Sequence, residues 1–454
     1  MLTATVLIVG AGPVGMWLAL ELRRAAIDVL VIDTKTSRDD RDRVSKALTV
    51  SAGTLDTFHS RGLAPALLER SIRVPRAHFG GLPTTLELNG DVLGVAHPYN
   101  LAIPQSRTEA ILLAACEKAG VRFAWGLRFA RLVQSSRRDV VATAEVVSRT
   151  SDADHDPTSS NKAVSITAHW LVGCDGTHSA VRNAVGVPFE GLPHLVTGIL
   201  ADVILTEDPS DGGAPMTIRQ GAMGSCIAVK IDGELHRVVG LSKTNRHKPA
   251  SEELALDEVK DHLRDVFGSD LGAHSPAWMS RFGSACRVAA SFRSGRVLLA
   301  GDAAHQFFPA GGQGLNLGIQ DATNLAWKLV AACREEEEEK AGNSRPEVVD
   351  HLLDSYDRER RSADRDVVDK RAGADVPPHG HRASRDGGAQ RRCRISELPR
   401  DEQALGQADD GLRRTASALS RRQQRVRRPR ARGSQADASP CGSEGRRAVR
   451  SHRA

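Results

Sequence analysis

Residues 5–33 read TVLIVGAGPVGMWLALELRRAAIDVLVID. An apolar run of strand type meets GAGPVG, a helical apolar pattern follows, and a second strand-type run ends in an acid. This is the grammar of a strand–turn–helix–strand unit with Gly10, Gly12 and Gly15 at the G-x-G-x-x-G positions. Gly10 serves the tight turn, Gly12 leaves room for a pyrophosphate against the backbone, and Gly15 lets helix and strand pack closely. The helix then directs its free N–H groups and positive dipole end at the phosphates. Asp33 closes the second run, where a carboxylate accepts hydrogen bonds from ribose hydroxyls, so FAD or NAD is expected before NADP. The alternative, a tight turn in an ordinary α/β domain, leaves the terminal acid unexplained.

The unit starts at residue 5, which leaves no room for a signal peptide, and no run of about 20 apolar residues suggests a membrane span. The chain has 454 residues, enough for two or three domains. Its seven cysteines are scattered without a C-x-x-C pair, which suggests neither a metal site nor a disulfide framework, and a reducing cytoplasm is the expected home. The net charge of +6 misleads: residues 371–454 carry 20 Arg, no Lys and nine acids, a balance of +11 that leaves −5 for residues 1–370.

Beyond Asp33, Arg38, Arg41, Arg43 and Lys46 form a basic cluster, suited to a second nucleotide's phosphates or simply solvated. Residues 73–100 look like short strands, and a helix is expected from about Arg107 to Ala119. Gln105, near its start, reads first as an ordinary capping residue, with a cofactor contact as the alternative. In HWLVGCDGTHSAVRNAVGV a strand delivers Asp175-Gly176 to a turn, and a helix carrying Arg182 follows. Taken alone, that is a turn and a cap. Residues 187–286 alternate strands and turns around one helix, a block with its own sheet and no nucleotide motif. The segment GRVLLAGDAAHQFFPAGGQGLNLGIQDATNLAWKLVAA then brings a buried-type strand to Gly301-Asp302. A loop with Pro309, Gly311, Gly312 and Gly314 follows, opening a helix near Leu315. Asp302 suits a polyol hydroxyl, and the glycine turn offers N–H groups to developing negative charge. The helix is expected to end near Cys333, leaving REEEEEK as a solvated loop. The polar stretch 149–162 reads as an exposed insertion.

Residues 371–454 contain no Phe, Trp, Tyr or Met and only one Ile. Such a segment buries too little apolar surface to offset its chain entropy, so disorder is expected. Its Arg-rich composition is also what a GC-rich gene gives when read out of frame, and an intact transcript would refute that origin. A nucleic-acid role rests on this tail alone, which lacks aromatics for stacking.

GAGPVG with Asp33, CDGTHSAVR and GDAAHQFFPAGGQGLN, in this order, resemble the single-component FAD-dependent aromatic hydroxylases of the para-hydroxybenzoate hydroxylase fold, most closely the phenol hydroxylase and polyketide hydroxylase subgroup. The likeness runs to about residue 370. It implies an α/β chain in which a Rossmann-like FAD-binding domain (1–72, 101–186 and 287–370) interleaves with a mostly antiparallel β-sheet substrate domain (73–100 and 187–286). Relatives continue into a thioredoxin-like domain where this chain has its Arg-rich tail. The resemblance places FAD on Gly10, Gly12, Gly15, Asp33, Lys46, Gln105, Arg107, Asp175, Gly176, Arg182 and Asp302. Lys46 stands where relatives usually have Arg, which keeps the charge but loses the bidentate fork. The loop from Pro309 through Gly311, Gly312, Gly314 and Leu315 to Asn316 is implied to lie against the flavin ring. The Asp-Gly motif is associated also with transient NADPH or NADH. The implied activity spends NAD(P)H and O2 to hydroxylate a phenolic or polyketide-type aromatic, in secondary metabolism. His305 is a candidate base and otherwise a structural histidine beside the cofactor; Tyr99 is a candidate polar wall. The alternatives are a same-fold flavin oxidoreductase with other chemistry, though the W-x-W-x-I-P halogenase motif is missing, or an inactive product with a damaged C-terminus.

Overall fold

Val6–Val9 and Val29–Ile32 are apolar at every position, the pattern of strands covered on both faces rather than one. A computed structural model describes residues 1–36, 46–78, 85–88, 94–136, 139–147, 163–210, 213–308, 312–340 and 346–372. These residues belong to one compact unit. The expectations for Arg38, Arg41, Arg43, Pro309, Gly311, the stretch 149–162 and the tail beyond residue 372 lie outside the described residues.

Five strands form the centre: β1 (Leu2–Val9), β2 (Val29–Asp33), β3 (Arg122–Trp125), β4 (Ala163–Gly173) and β5 (Val297–Leu299). They pair in the order β5-β4-β1-β2-β3, every pair parallel. An antiparallel ribbon, Leu127–Ser135 with Val140–Val146, is added along the first half of β4. The helices, in chain order, are α1 (Pro13–Arg24), α2 (Ala52–His59), α3 (Ala64–Glu69), α4 (Gln105–Ala119), α5 (Ala180–Ala184), α6 (Leu256–Phe267), α7 (Gly314–Lys340) and α8 (Pro346–Ala372). Trp17 of α1 is fully buried; its ring meets Phe58 edge-on at 5.0 Å and its Nε1 donates to Thr323 Oγ1 of α7 at 2.8 Å. Burying a side chain of this size and satisfying its one donor ties α1 to α7 beneath the glycine turn.

A second, antiparallel sheet takes the strands 216–221, 224–232, 235–242, 197–204 and 274–283 in that spatial order, with α6 packed on it. Its apolar cluster, Ile199, Ala201, Val203, Val238, Val259 and Leu263 among others, is separate from that of the parallel sheet. The α6 apolar residues recur every three or four positions (Val259, Leu263, Val266), and Gly268 ends the helix in the left-handed region at φ 83°. No helix among the described residues is long and apolar enough to cross a membrane.

Two expectations on helix ends are corrected. α4 begins at Gln105 rather than Arg107, because Pro104 is buried at the N-cap. The glutamate run is not a loop: α7 continues through it to Lys340, and Glu336 pairs with Arg296 and with His169 Nδ1, the latter at 3.1 Å. Arg296 and His169, brought up from the sheet, give Glu336 of the run fixed partners where the sequence reading expects solvent.

Candidate cofactor and active site

Three strand ends assemble the site. The glycine turn follows β1, Cys174-Asp175-Gly176 follows β4, and Gly301-Asp302 follows β5, and these strands are neighbours in one parallel sheet. Motifs separated by well over a hundred residues therefore meet at the carboxyl edge, where open α/β sheets bind ligands.

Gly10 has φ 103°, and a Cβ there would overlap the Cys174 carbonyl; a Cβ on Gly15 would overlap the Gly10 carbonyl. Gly12 differs, since a Cβ on it would meet nothing within 4 Å. The space in front of Gly12 is open. Gly12 is also the N-cap of α1, with no side-chain cap and no acid in the first turn. The first N–H groups of a 12-residue helix thus have no side-chain cap and no first-turn acid among the described residues.

Asp33 already serves the turn: Oδ2 accepts from Ala11 N at 2.7 Å and Oδ1 from Lys35 N at 2.9 Å. A carboxylate has about four acceptor sites, so capacity remains for ribose hydroxyls. Gln105 binds the Lys46 loop by its side chain, accepting from Ala47 N at 2.9 Å, and donates to buried Glu109 at 2.8 Å. Lys35 reaches the same Glu109 at 3.5 Å. Arg107 lies elsewhere: its guanidinium donates to Arg70 O at 3.2 Å and to Asp232 Oδ2 of the second sheet at 2.9 Å.

The Asp-Gly motif is built as a cap. Asp175 accepts from Ser179 Oγ at 2.5 Å and Val181 N at 3.1 Å, and burial holds its carboxyl above the usual range despite these bonds. Gly176 stands at φ 82° with open space at its Cβ position. Arg182 is buried and clamps two motifs together, donating to Thr177 O at 3.0 Å and Ala303 O at 2.9 Å while covering Phe189 at 3.9 Å. Burial holds its pKa below that of a free guanidinium.

Asp302 is exposed at the residue level, yet protein surrounds its carboxyl closely enough that desolvation raises its pKa, against His305, Lys46 and a hydrogen bond with Thr177. Gly314, the first residue of α7, would carry a Cβ 3.9 Å from Asp302 Oδ1. Leu315 is half-buried; Asn316 is buried and pins the turn, accepting from Ser51 N at 2.8 Å and donating to Thr49 O at 3.0 Å and Gly312 O at 2.7 Å. Lys46 is exposed, and its carbonyl accepts from Arg237 Nη1 at 2.9 Å.

Tyr99 lies by the small sheet of strands 49–50, 100–102 and 72–74; its hydroxyl bonds His97 Nδ1 at 3.2 Å, and His97 Nε2 bonds His59 Nδ1 at 3.0 Å. His305 is fully buried behind the Gly301–Ala303 turn, with Nε2 at 2.7 Å from Asp321 Oδ2. Asp321, Arg360 and Asp364 surround it, residues to which the sequence reading gives no role. Their only local signal is spacing: Tyr356, Arg360 and Asp364 recur every four residues along α8 and are all buried. Thr177, which bonds Asp302, and Arg237 of the second sheet were equally without signal.

The uncapped N-terminus of α1 with its positive dipole end, the acid Asp33 at the end of β2 and Asp302 beyond β5 are compatible with an extended dinucleotide carrying a polyol. Fold and site define a flavoprotein architecture of the Rossmann type. Residues 3–371 match the family described as FAD binding domain, and the chain belongs to that family, whose cofactor is FAD. It is similar to the uncharacterized aromatic compound monooxygenase YhjG of Bacillus subtilis, 36% identical over 356 residues, 78% of this chain and 65% of that protein. A dialkyldecalin synthase of Streptomyces rugosporus is 33% identical over 365 residues, covering 79% of this chain and 70% of the relative. Among solved structures, the OxyS anhydrotetracycline hydroxylase from Streptomyces rimosus superposes with a TM-score of 0.67 at 32% identity, covering 82% of this chain and 69% of the other. The chain spans about two thirds of the length of these relatives.

Proposed function

We propose that this protein is an FAD-dependent monooxygenase that uses NADPH or NADH and O2 to hydroxylate a phenolic or polyketide-type aromatic. The observation that carries the reading is the meeting of three motifs at one sheet edge, in a unit whose antiparallel sheet bonds the Lys46 carbonyl through Arg237 and α4 through Arg107–Asp232. The names of the relatives supply the reaction class. In this reading Gly10, Gly12, Gly15 and Asp33 hold the adenosine and pyrophosphate half. Lys46, Gln105, Asp175, Gly176, Asp302 and the turn Gly312 to Asn316 hold or frame the riboflavin half. Arg182 acts from behind by joining two of these loops, and Arg107 acts by fixing α4 against the second sheet.

When bound, FAD supplies the redox and oxygen chemistry. The chain's share is to orient it, to keep water out, and to offer N–H groups of the α7 turn where negative charge develops. Segments 1–72, 101–186 and 287–370 take the cofactor in this reading, and 73–100 with 187–286 wall the substrate. Tyr99 is assigned to that wall. His305, buried and committed to Asp321, is assigned no proton transfer with substrate.

The test is substrate-dependent NAD(P)H oxidation by the purified full chain with FAD, read together with product mass and labelled O2. A product one labelled oxygen heavier supports the reading; turnover that yields only hydrogen peroxide for every aromatic tried overturns it. The dialkyldecalin synthase relative favours a second reading, ring formation on a flavin-dependent scaffold, and a product isomeric with its substrate would select it.

A further inference from the structure

Behind the Gly301–Ala303 turn lies a group of charges that the proposed reaction does not use. His305, Asp321 and Asp364 are wholly buried and Arg360 nearly so. His305 Nε2 is 2.7 Å from Asp321 Oδ2 and 3.6 Å from Asp364 Oδ2. Arg360 Nε donates to Asp321 Oδ1 at 2.6 Å, and its Nη2 is 3.6 Å from Asp364 Oδ1. Three elements contribute: His305 follows the turn, Asp321 comes from α7, and Arg360 and Asp364 come from α8.

The ligand atoms of His305, Asp321 and Asp364 fall within 4.8 Å of one another, a spacing that would suit a metal ion. The cation present argues against one. Arg360 already bonds Asp321, and the ring nitrogen facing both acids is the one a metal would need without its proton. A hydrogen on Nε2 serves the bond to Asp321 in the neutral ring as well; with a second proton on Nδ1, a buried atom without a partner among the described residues, and with Asp364 ionised, the four groups balance, two positive against two negative, which is the condition for burying them all as ions.

Asp321 Oδ2 accepts twice, from His305 and from Gly301 N at 3.1 Å. Gly301 precedes Asp302, and Gly301 is wedged between α1 and α7: its Cβ position lies 2.9 Å from Val14 Cγ2, and that of Gly318 lies 3.1 Å from Gly301 Cα. We propose that His305 is a positioning residue whose protonated ring fixes Asp321, and through it the Gly301–Ala303 turn, so that the Asp302 end of the FAD site depends on a proton held on the far side of that turn. The inference rests on the FAD reading above.

The electrostatics agree. Burial opposes charge on His305, but Asp364 and Asp321 outweigh it and raise its pKa to about 9. Burial raises Asp364 to about 7, with Asp321 adding to the rise and His305 and Arg360 opposing it. Within the cluster Asp321 of α7 and Asp364 and Arg360 of α8 act on His305 and on one another, and the groups that face it from outside are Asp302 from the turn, Cys174 beyond β4 and Tyr356 from α8. Because the folded pKa of His305 is raised, its contribution is full below about pH 6.5 and is lost as pH rises through about 9. Asp364 is an acid raised on folding, so it favours the fold least once ionised, above about 7.

Apoprotein of the full chain is titrated with FAD and, separately, with ADP between pH 6 and 10. Wild type is expected to hold FAD evenly at neutral pH and to weaken as pH passes about 9, while ADP, which meets only the Gly10–Asp33 end, is held evenly throughout. His305→Gln should lower FAD affinity on the order of tenfold, the scale of a lost charge-assisted hydrogen bond, and leave ADP affinity within about twofold. Asp364→Asn is isosteric and removes a carboxylate that supports the ring, so, with folding checked by evenly held ADP, its FAD midpoint should fall about one pH unit or more. Unchanged FAD affinity in His305→Gln, equal loss of ADP and FAD, or coincident midpoints for wild type and Asp364→Asn would each overturn the proposal. Wild type that binds ADP but no FAD at any pH would overturn the cofactor reading and this inference with it.

Discussion

In the parallel sheet Val6–Val9, Val29–Ile32 and Trp170–Val172 are buried and apolar, and the candidate site residues stand at or just beyond a strand's carboxyl end: Gly12 and Asp33, Asp175, Asp302. In the antiparallel sheet a charged pair stands in the middle of the strands. Asp202 and Arg237 are direct cross-strand partners, Nε to Oδ1 at 2.5 Å and Nη2 to Oδ2 at 2.7 Å, and both are buried. Trp278, the partner of Asp202 on its other side, lies under the Arg237 guanidinium at 5.3 Å. The first sheet makes its site from backbone and needs glycines to do so. The second makes its contact from side chains, and Arg237 carries that contact to the Lys46 carbonyl.

The difference predicts which changes each region tolerates. Arg237→Met leaves Asp202 buried without its bidentate partner and should cost about 3–5 kcal/mol, seen as a lower urea midpoint. Asp202→Leu combined with it should recover most of that loss, since a buried pair is replaceable by apolar volume. If the double variant is no more stable than the single one, the pair is not what holds the sheet against the Lys46 loop.

In the parallel sheet the sensitive atoms are hydrogens. Gly10→Ala places a Cβ into the Cys174 carbonyl at a φ that favours glycine, a cost on the order of 3 kcal/mol. Gly12→Ala meets open space and should leave the unfolding midpoint of apoprotein within about 0.5 kcal/mol of wild type while weakening FAD. Equal destabilisation by both substitutions would show that Gly12 serves the fold rather than the phosphates.

Smaller effects sharpen how the strand ends are joined. Arg182→Lys keeps the charge but cannot span Thr177 O and Ala303 O as a planar fork, so a loss of about 1–2 kcal/mol is expected, with weaker FAD and unchanged ADP affinity. Tyr356→Phe removes one buried donor to Leu299 O at 2.6 Å and should cost about 1 kcal/mol in thermal or urea unfolding, without altering the FAD spectrum. A change in the spectrum would place α8 closer to the cofactor than the turn it supports.

The glycine turn was legible because its constraints are local: strand, turn and helix lie within 29 consecutive residues, and the close approach of Gly10 to Gly15 is settled among neighbours in the chain. The cap built by Asp175 was legible for the same reason, through Ser179 and Val181 a few residues on. The glutamate run was misread because its partners, Arg296 and His169, lie 40 and 167 residues away. Arg107 could be placed at a helix start but not aimed; Asp232 of another sheet aims it.

By itself, then, the amino-acid sequence determined the dinucleotide turn, the order of the three motifs and the class of cofactor, since each depends on backbone conformation and short-range spacing. Only the tertiary structure decided that Arg182 joins two strand ends, that Arg237 reaches the Lys46 loop, and that His305 meets Asp321, Arg360 and Asp364. Charged side chains look solvated wherever their sequence neighbours are polar. Whether they are buried, and against what, is set by helices and strands that arrive from far along the chain.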